Sequence, residues 1–245
     1  MGALRGAVGF LTQIPVASDG DDWSEFTGSP WAFPLVGWLV GGLAALALLL
    51  PAAVVPFAYL LALVLLTGVN HFDGLADLGD AMVVHGDRER RRTVLKDSEV
   101  GVGAVLALGV ALVGIGVAGA GLARLSLGTA VVVVVASEVG AKLAMATVVC
   151  TGRASHEGFA SAFTERCSPE TLSGAVVAGL PVVALGVVDG VTVPVAGGVL
   201  GAPLVVAWWL RRWARRRLGG VNGDVFGAVN ELGRLAGLYV GLLLV

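Results

Sequence analysis

The chain has 245 residues, a formal net charge of -2, 56% hydrophobic residues and only 14% charged ones. Soluble domains carry about 25% charged residues, so a mean hydropathy of +0.87 excludes a soluble globular domain and identifies an integral membrane protein. Cys150 and Cys167 match no zinc or redox spacing, which excludes a disulfide framework and a cysteine metal centre. Residues 3–16 are mildly apolar, too short to span a bilayer, and stopped by Pro15; they read as an interfacial helix. They lack the long apolar core of a cleavable signal. Residues 17–30, with Asp19, Asp21, Asp22 and Glu25, read as a loop.

Apolar runs follow at about 33–50, 52–69, 100–122, 128–150, 172–189, 192–210 and 225–245. They are continuous rather than alternating, so helices are expected and a barrel is excluded. The fold class is therefore all-α, a polytopic membrane protein of about seven transmembrane helices. It forms a single domain over residues 1–245, with residues 1–32 at the cytoplasmic surface. Pro56 and Pro181 sit inside runs, which leaves six or eight spans open. Basic residues set the orientation. With residues 70–99 inside, thirteen of the sixteen Arg and Lys fall inside, Arg124 alone falls outside, and Lys142 and Arg234 lie within spans. The N-terminus and the polar loops are then cytoplasmic, Val245 is outside, and Asp189-Gly190 forms a short outer turn.

The chain is organised around His71-Phe72-Asp73-Gly74-Leu75-Ala76-Asp77-Leu78-Gly79-Asp80. On a helix, the i, i+4, i+7 spacing puts Asp73, Asp77 and Asp80 within roughly 60° of one face. Three carboxylates so placed repel unless a cation sits among them, and their oxygens suit Mg²⁺. The plainer alternative is a solvated acidic loop at the membrane edge. Downstream, Lys96-Asp97-Ser98 precedes the third span. Asp97 or Ser98 would cap that helix, or its glycine-rich start at Gly101 would offer free N–H groups to a phosphate. Near the end lies Gly219-Gly220-Val221-Asn222-Gly223-Asp224, where Gly220 and Gly223 permit close approach of a backbone or phosphate. Glu231 lies two turns into the last run and is either functional or paired with Arg234. Glu138 and Lys142, at i and i+4, read mainly as a structural ion pair. Arg211, Arg212, Arg215, Arg216 and Arg217 among Trp208, Trp209 and Trp213 read as a membrane anchor. His85 and His156 read as surface residues, and His71 as the histidine beside the acids.

Five segments together resemble the cobalamin synthase family, the adenosylcobinamide-GDP ribazoletransferases. They are Phe10 to Val16, Phe33 to Gly37, His71 to Asp80, Lys96 to Gly101, and Gly219 to Glu231, in that order. Ala81, Asn222 and Arg234 depart from the usual pattern without removing a metal-type carboxylate. The resemblance implies a polytopic membrane enzyme. A hydroxyl of α-ribazole, or of its 5'-phosphate, attacks the corrinoid-proximal phosphorus of adenosylcobinamide-GDP, and GMP leaves. It implies catalytic roles for Asp73, Asp77, Asp80, Asp97, Asp224 and Glu231. It places Mg²⁺ on Asp73, Asp77, Asp80 and Asp224, and substrate on His71, Lys96, Ser98, Gly101, Gly220, Asn222 and Gly223. The expected partners are those two substrates and the lipid bilayer of the cell membrane. No nucleic acid is expected, and a homo-oligomer stays open. Two other classes compete. A CDP-alcohol phosphotransferase would share the carboxylates and Mg²⁺, but its D-x-x-D-G-x-x-A-R pattern fails at Ala81. An ion-coupled transporter would use Glu138, Lys142 and Glu231 as a relay.

Overall fold

The computed structural model describes residues 1–188 and 193–245. The expected outer turn at Asp189-Gly190 lies outside the described residues. Among the described residues all regular structure is helical: α1 (Gly2–Leu11), α2 (Gly20–Thr27), α3 (Ala32–Ala44, tightening into a 3-10 turn at Ala45–Leu49), α4 (Val55–Thr67), α5 (Asn70–Val83), α6 (Arg88–Val94), α7 (Val102–Leu122), α8 (Leu127–Thr151), α9 (Phe159–Thr164), α10 (Leu172–Gly179), α11 (Pro181–Val188), α12 (Val193–Arg217) and α13 (Gly223–Leu244). The one extended contact is an isolated bridge between Ala154 and Val221.

Four helices among the described residues are long and apolar enough to cross a membrane: 32–49, 102–122, 127–151 and 193–217. The count becomes five if α4 and α5 are one crossing bent by 97°. Among the described residues the expected count of seven is therefore not confirmed, for reasons visible in the sequence. Run 52–69 yields only the 13-residue α4 before the chain turns at Gly68, whose φ of 67° suits glycine. Run 172–189 divides at Pro181, which opens α11 instead of continuing α10. The last helix carries Asp224, Glu231 and Arg234. The membrane reading itself stands. Val105, Leu106, Val110, Val113 and Val117 are exposed on the outer side of α7, an apolar surface of the kind lipid covers.

Residues 20–27, expected as loop, are helical. Asp19 accepts N–H bonds from Asp21 (3.0 Å) and Asp22 (2.9 Å), and the Asp22 carboxylate reaches back to the Asp19 N–H (3.4 Å). This reciprocal box caps the helix. Arg5 bonds Asp22 at 2.8 Å, tying α2 to α1. Phe26 is fully buried among the rings of Phe10, Trp23, Phe33 and Phe163.

The core is α8, buried along most of its length and packed by α3, α12 and α13. Between α8 and α13 lies a fully buried charged cluster. Its pairing differs from the expected Glu138–Lys142 bridge. Arg234 grips Glu138 with Nε and Nη2 and Glu231 with Nη1, while Lys142 Nζ donates to Asn230 Oδ1 at 2.6 Å. Adjacent helices offered geometry that i, i+4 spacing cannot: the planar guanidinium takes two carboxylates at once. Two anions and two cations balance, which is what permits burial.

Candidate active site

The acidic face of α5 is held by backbone contact with α13. A Cβ on Gly74 would come 2.8 Å from Asp224 Cα, and one on Gly227 would come 2.8 Å from the His71 carbonyl oxygen. Only glycines allow so close a crossing. It sets Asp73 and half-buried Asp77 beside Asp224 in the first turn of α13, outside the four apolar spans. Asn222 caps that turn: its Oδ1 accepts from the Val225 N–H (3.1 Å) and its amide donates to Asp224 Oδ2 (2.6 Å). Burial, then Asp77 and Asp73, push the Asp224 carboxyl up to about 6, with the Asn222 hydrogen bond opposing. Burial first, then Asp73 and Asp80, push Asp77 up to about 6 as well.

Asp80 has a different job. Its Oδ2 accepts from the Gly101 N–H at 2.8 Å and its Oδ1 from the Ala104 N–H at 3.0 Å. It caps α7 from another helix, so neither Asp97 nor Ser98 is the cap, and the Gly101 N–H is not free for a phosphate. Gly79 and Gly103 pack backbone to backbone beneath this cap. Asp97 accepts from the Glu99 N–H at 3.1 Å within an exposed turn.

Three cavities meet here. The first, ≈ 380 Å³, brings Lys96, Asp97 and Ser98 to Asp73, Asp77 and Asp80. The second, ≈ 310 Å³, is lined by Arg92, Lys96, Ser155, His156, Asn222 and Asp224. The third, ≈ 180 Å³, is lined by Phe10, Met145, Phe159, Phe226, His71 and Asp224. Lys96 borders the first two and Asp224 the last two; Gly223 shares the position of Asp224. Among the described residues, no three His, Cys, Asp or Glu side chains converge as a ready-made metal shell. The oxygen donors of Asp73, Asp77 and Asp224 nonetheless fit Mg²⁺, an ion commonly held by one or two carboxylates plus substrate phosphates.

Two expected residues lie apart. Glu231 is fully buried, bonded by Arg234 and by the Asn230 amide (2.9 Å), and does not join the acidic face. Gly220 packs on the backbone of Arg153 to Ser155, where a Cβ would meet the Arg153 carbonyl oxygen at 2.5 Å. Sequence reasoning passed over Arg92, which donates to the carbonyls of Leu218 (2.8 Å) and Ser155 (3.2 Å) and lines the second cavity. Its signal, the run Arg88-Glu89-Arg90-Arg91-Arg92, was legible only as charge. His156, read as a surface residue, is exposed but stands at the second cavity.

A profile of the cobalamin-5-phosphate synthase family matches residues 3–242. The chain belongs to that family. Among cobalamin-5-phosphate synthase relatives, a protein of Halorubrum lacusprofundi named adenosylcobinamide-GDP ribazoletransferase is 47% identical, over 98% of this chain and 96% of its own. Proteins of the same name from Haloquadratum walsbyi (40% identical, 98% and 97% covered) and Pyrococcus abyssi (34%, 97% and 96%) are also similar. No solved structure matches. Membership in the cobalamin-5-phosphate synthase family makes the chain a transferase and removes the transporter alternative.

Proposed function

We propose that the protein transfers α-ribazole, free or as its 5'-phosphate, onto the cobinamide phosphate of adenosylcobinamide-GDP with release of GMP, at the cytoplasmic face of the cell membrane. The observation that carries the reading is the position of Asp224, on the seam between a basic cavity and an aromatic one, with Asp73 and Asp77 alongside. The two sides suit a phosphorylated donor and an aromatic acceptor. The reaction forms one P–O bond to the ribazole hydroxyl oxygen and breaks the P–O bond to GMP. Such a transfer needs positioning and charge neutralisation more than covalent help. Asp224, with its carboxyl held up to about 6, is suited to take the hydroxyl proton near neutral pH. Lys96 and Arg92 face the departing GMP phosphate, and Ser98, Asp97 and Asn222 border its path. Asp73 and Asp77, beside Asp224, would hold Mg²⁺, which neutralises pyrophosphate charge when bound. Asp80 keeps α5 and α7 in register beneath them.

The deciding experiment incubates purified protein in lipid nanodiscs with adenosylcobinamide-GDP and α-ribazole. GMP and a new corrinoid phosphodiester should appear in equal amounts. GMP formed without the phosphodiester would mean a hydrolase and overturn the reading.

A further inference from the structure

The third cavity takes its apolar walls from four separate elements, Phe10 of α1, Met145 of α8, Phe159 of α9 and Phe226 of α13, with Thr67 of α4 and Asn70 and His71 of α5 completing it. Phe10 and Phe159 stack with ring centroids 4.7 Å apart and planes inclined by 22°. Phe226 meets Phe159 edge-on at 6.3 Å. Walls of this kind favour a flat aromatic ligand.

One polar group on that wall has its proton position fixed by its neighbours. Lys142 Nζ, which only donates, lies 2.6 Å from one atom of the Asn230 amide; that atom is therefore the oxygen. The amide nitrogen then faces Glu231 Oε1 at 2.9 Å and His71 Nδ1 at 3.3 Å. An amide nitrogen only donates, so His71 Nδ1 accepts and the ring hydrogen sits on Nε2. Nε2 has no hydrogen-bond partner among the described residues. The buried Lys142–Asn230 pair thus makes His71 a fixed single donor at an aromatic cavity that also holds Asp224.

We propose that this cavity is the subsite for the ribazole base, with His71 Nε2–H donating to the unsubstituted ring nitrogen of the benzimidazole. The proposal rests on the transferase reading above. A benzimidazole riboside matches the chemistry: a flat bicyclic ring for the phenylalanines, one acceptor nitrogen for His71, and a sugar hydroxyl directed to Asp224. His71 is then a specificity residue for the acceptor, and Asn230 a positioning residue that acts through it.

The test changes the ligand before the protein. An indole riboside, in which C–H replaces the acceptor nitrogen, keeps shape and loses only the hydrogen bond. Wild-type protein should bind it at least about tenfold more weakly than α-ribazole in equilibrium dialysis, because a donor is left unpaired. His71→Leu should narrow that difference to about twofold or less. Phe10→Ala should raise KM for α-ribazole and leave KM for adenosylcobinamide-GDP unchanged. If wild-type protein releases GMP with α-ribazole yet binds both ribosides equally, the subsite is wrong and the transferase reading stands. Absence of transfer with either riboside sinks the transferase reading, whereas the binding ratio still reports on the cavity. Should His71→Leu not fold, the wild-type ratio alone decides.

Discussion

Asp77 and Asp224 hold their protons to about 6, against an ordinary value of 3.8. Between those values the folded chain binds more protons than the unfolded one. Stability of the metal-free protein therefore falls as pH rises through that window, and above it the cost of burying the two charges, with their mutual repulsion, is fully present. Activity runs the other way, because a protonated Asp224 cannot accept a proton. Turnover should drop as pH falls below about 6, and Asp224→Asn should lower it by about 100-fold or more above that pH and by progressively less below it, with undiminished yield. An amide is nearly isosteric with the carboxyl, so packing survives. Mg²⁺ competes with protons for the same oxygens. Its addition should raise the thermal midpoint of chelator-treated protein more at about pH 7.5 than at about pH 5, and should restore transfer. A midpoint gain independent of pH would show that these carboxylates do not hold the ion.

The packing of α8 on α13 gives a second prediction. Glu138→Gln leaves the buried Arg234 and Lys142 with only Glu231 to balance them. Removing one partner of a buried pair costs about 3–5 kcal/mol, so this variant should extract poorly and melt early, well beyond the mild effect of losing a surface bridge. Restoring neutrality with Glu138→Gln plus Lys142→Met should recover part of the yield in size-exclusion profiles; a double variant no better than the single one would mean that charge balance is not what matters. This cluster also marks where the sequence stops being readable. The one-face placement of Asp73, Asp77 and Asp80 follows from helical spacing; the meeting of α5 with α13 rests on Gly74 and Gly227, whereas Gly220, read for close approach, packs on Arg153 to Ser155 instead. The partner of Glu138 was not legible, because i, i+4 spacing names only neighbours on one helix and Arg234 lies 96 residues away. Asp80 misled for the same reason: a carboxylate that caps a different helix leaves no local trace. The aromatic cavity draws its residues from six helices, and no window of sequence contains it.

The arrangement of the whole molecule puts Lys96, Asp73, Asp77, Asp224 and Arg92 at the same end of the helices as the loops carrying Arg153 and Arg166. The connection through Arg124 joins α7 and α8 at the opposite end. Gly121 packs on Leu242 there, and Gly198 meets Leu244, so the ends of α7 and α13 and the start of α12 lie together. Basic residues concentrate at the site's end, and such residues stay on the cytoplasmic side. The same end shows Trp208 and Trp209 largely exposed beside Arg212 and Arg216, the pairing of aromatic and cationic side chains found at membrane surfaces. The proposed cytoplasmic site also suits the nucleotide-activated substrate proposed above. Both native cysteines are buried, so single introduced cysteines can report topology. In intact cells a membrane-impermeant maleimide should modify Arg124→Cys and spare Asp87→Cys, which lies in the exposed turn before α6. After permeabilisation both should react. Modification of Asp87→Cys in intact cells, with Arg124→Cys protected, would invert the molecule and place the acidic face, both cavities flanking Asp224 and the proposed GMP exit on the outer surface.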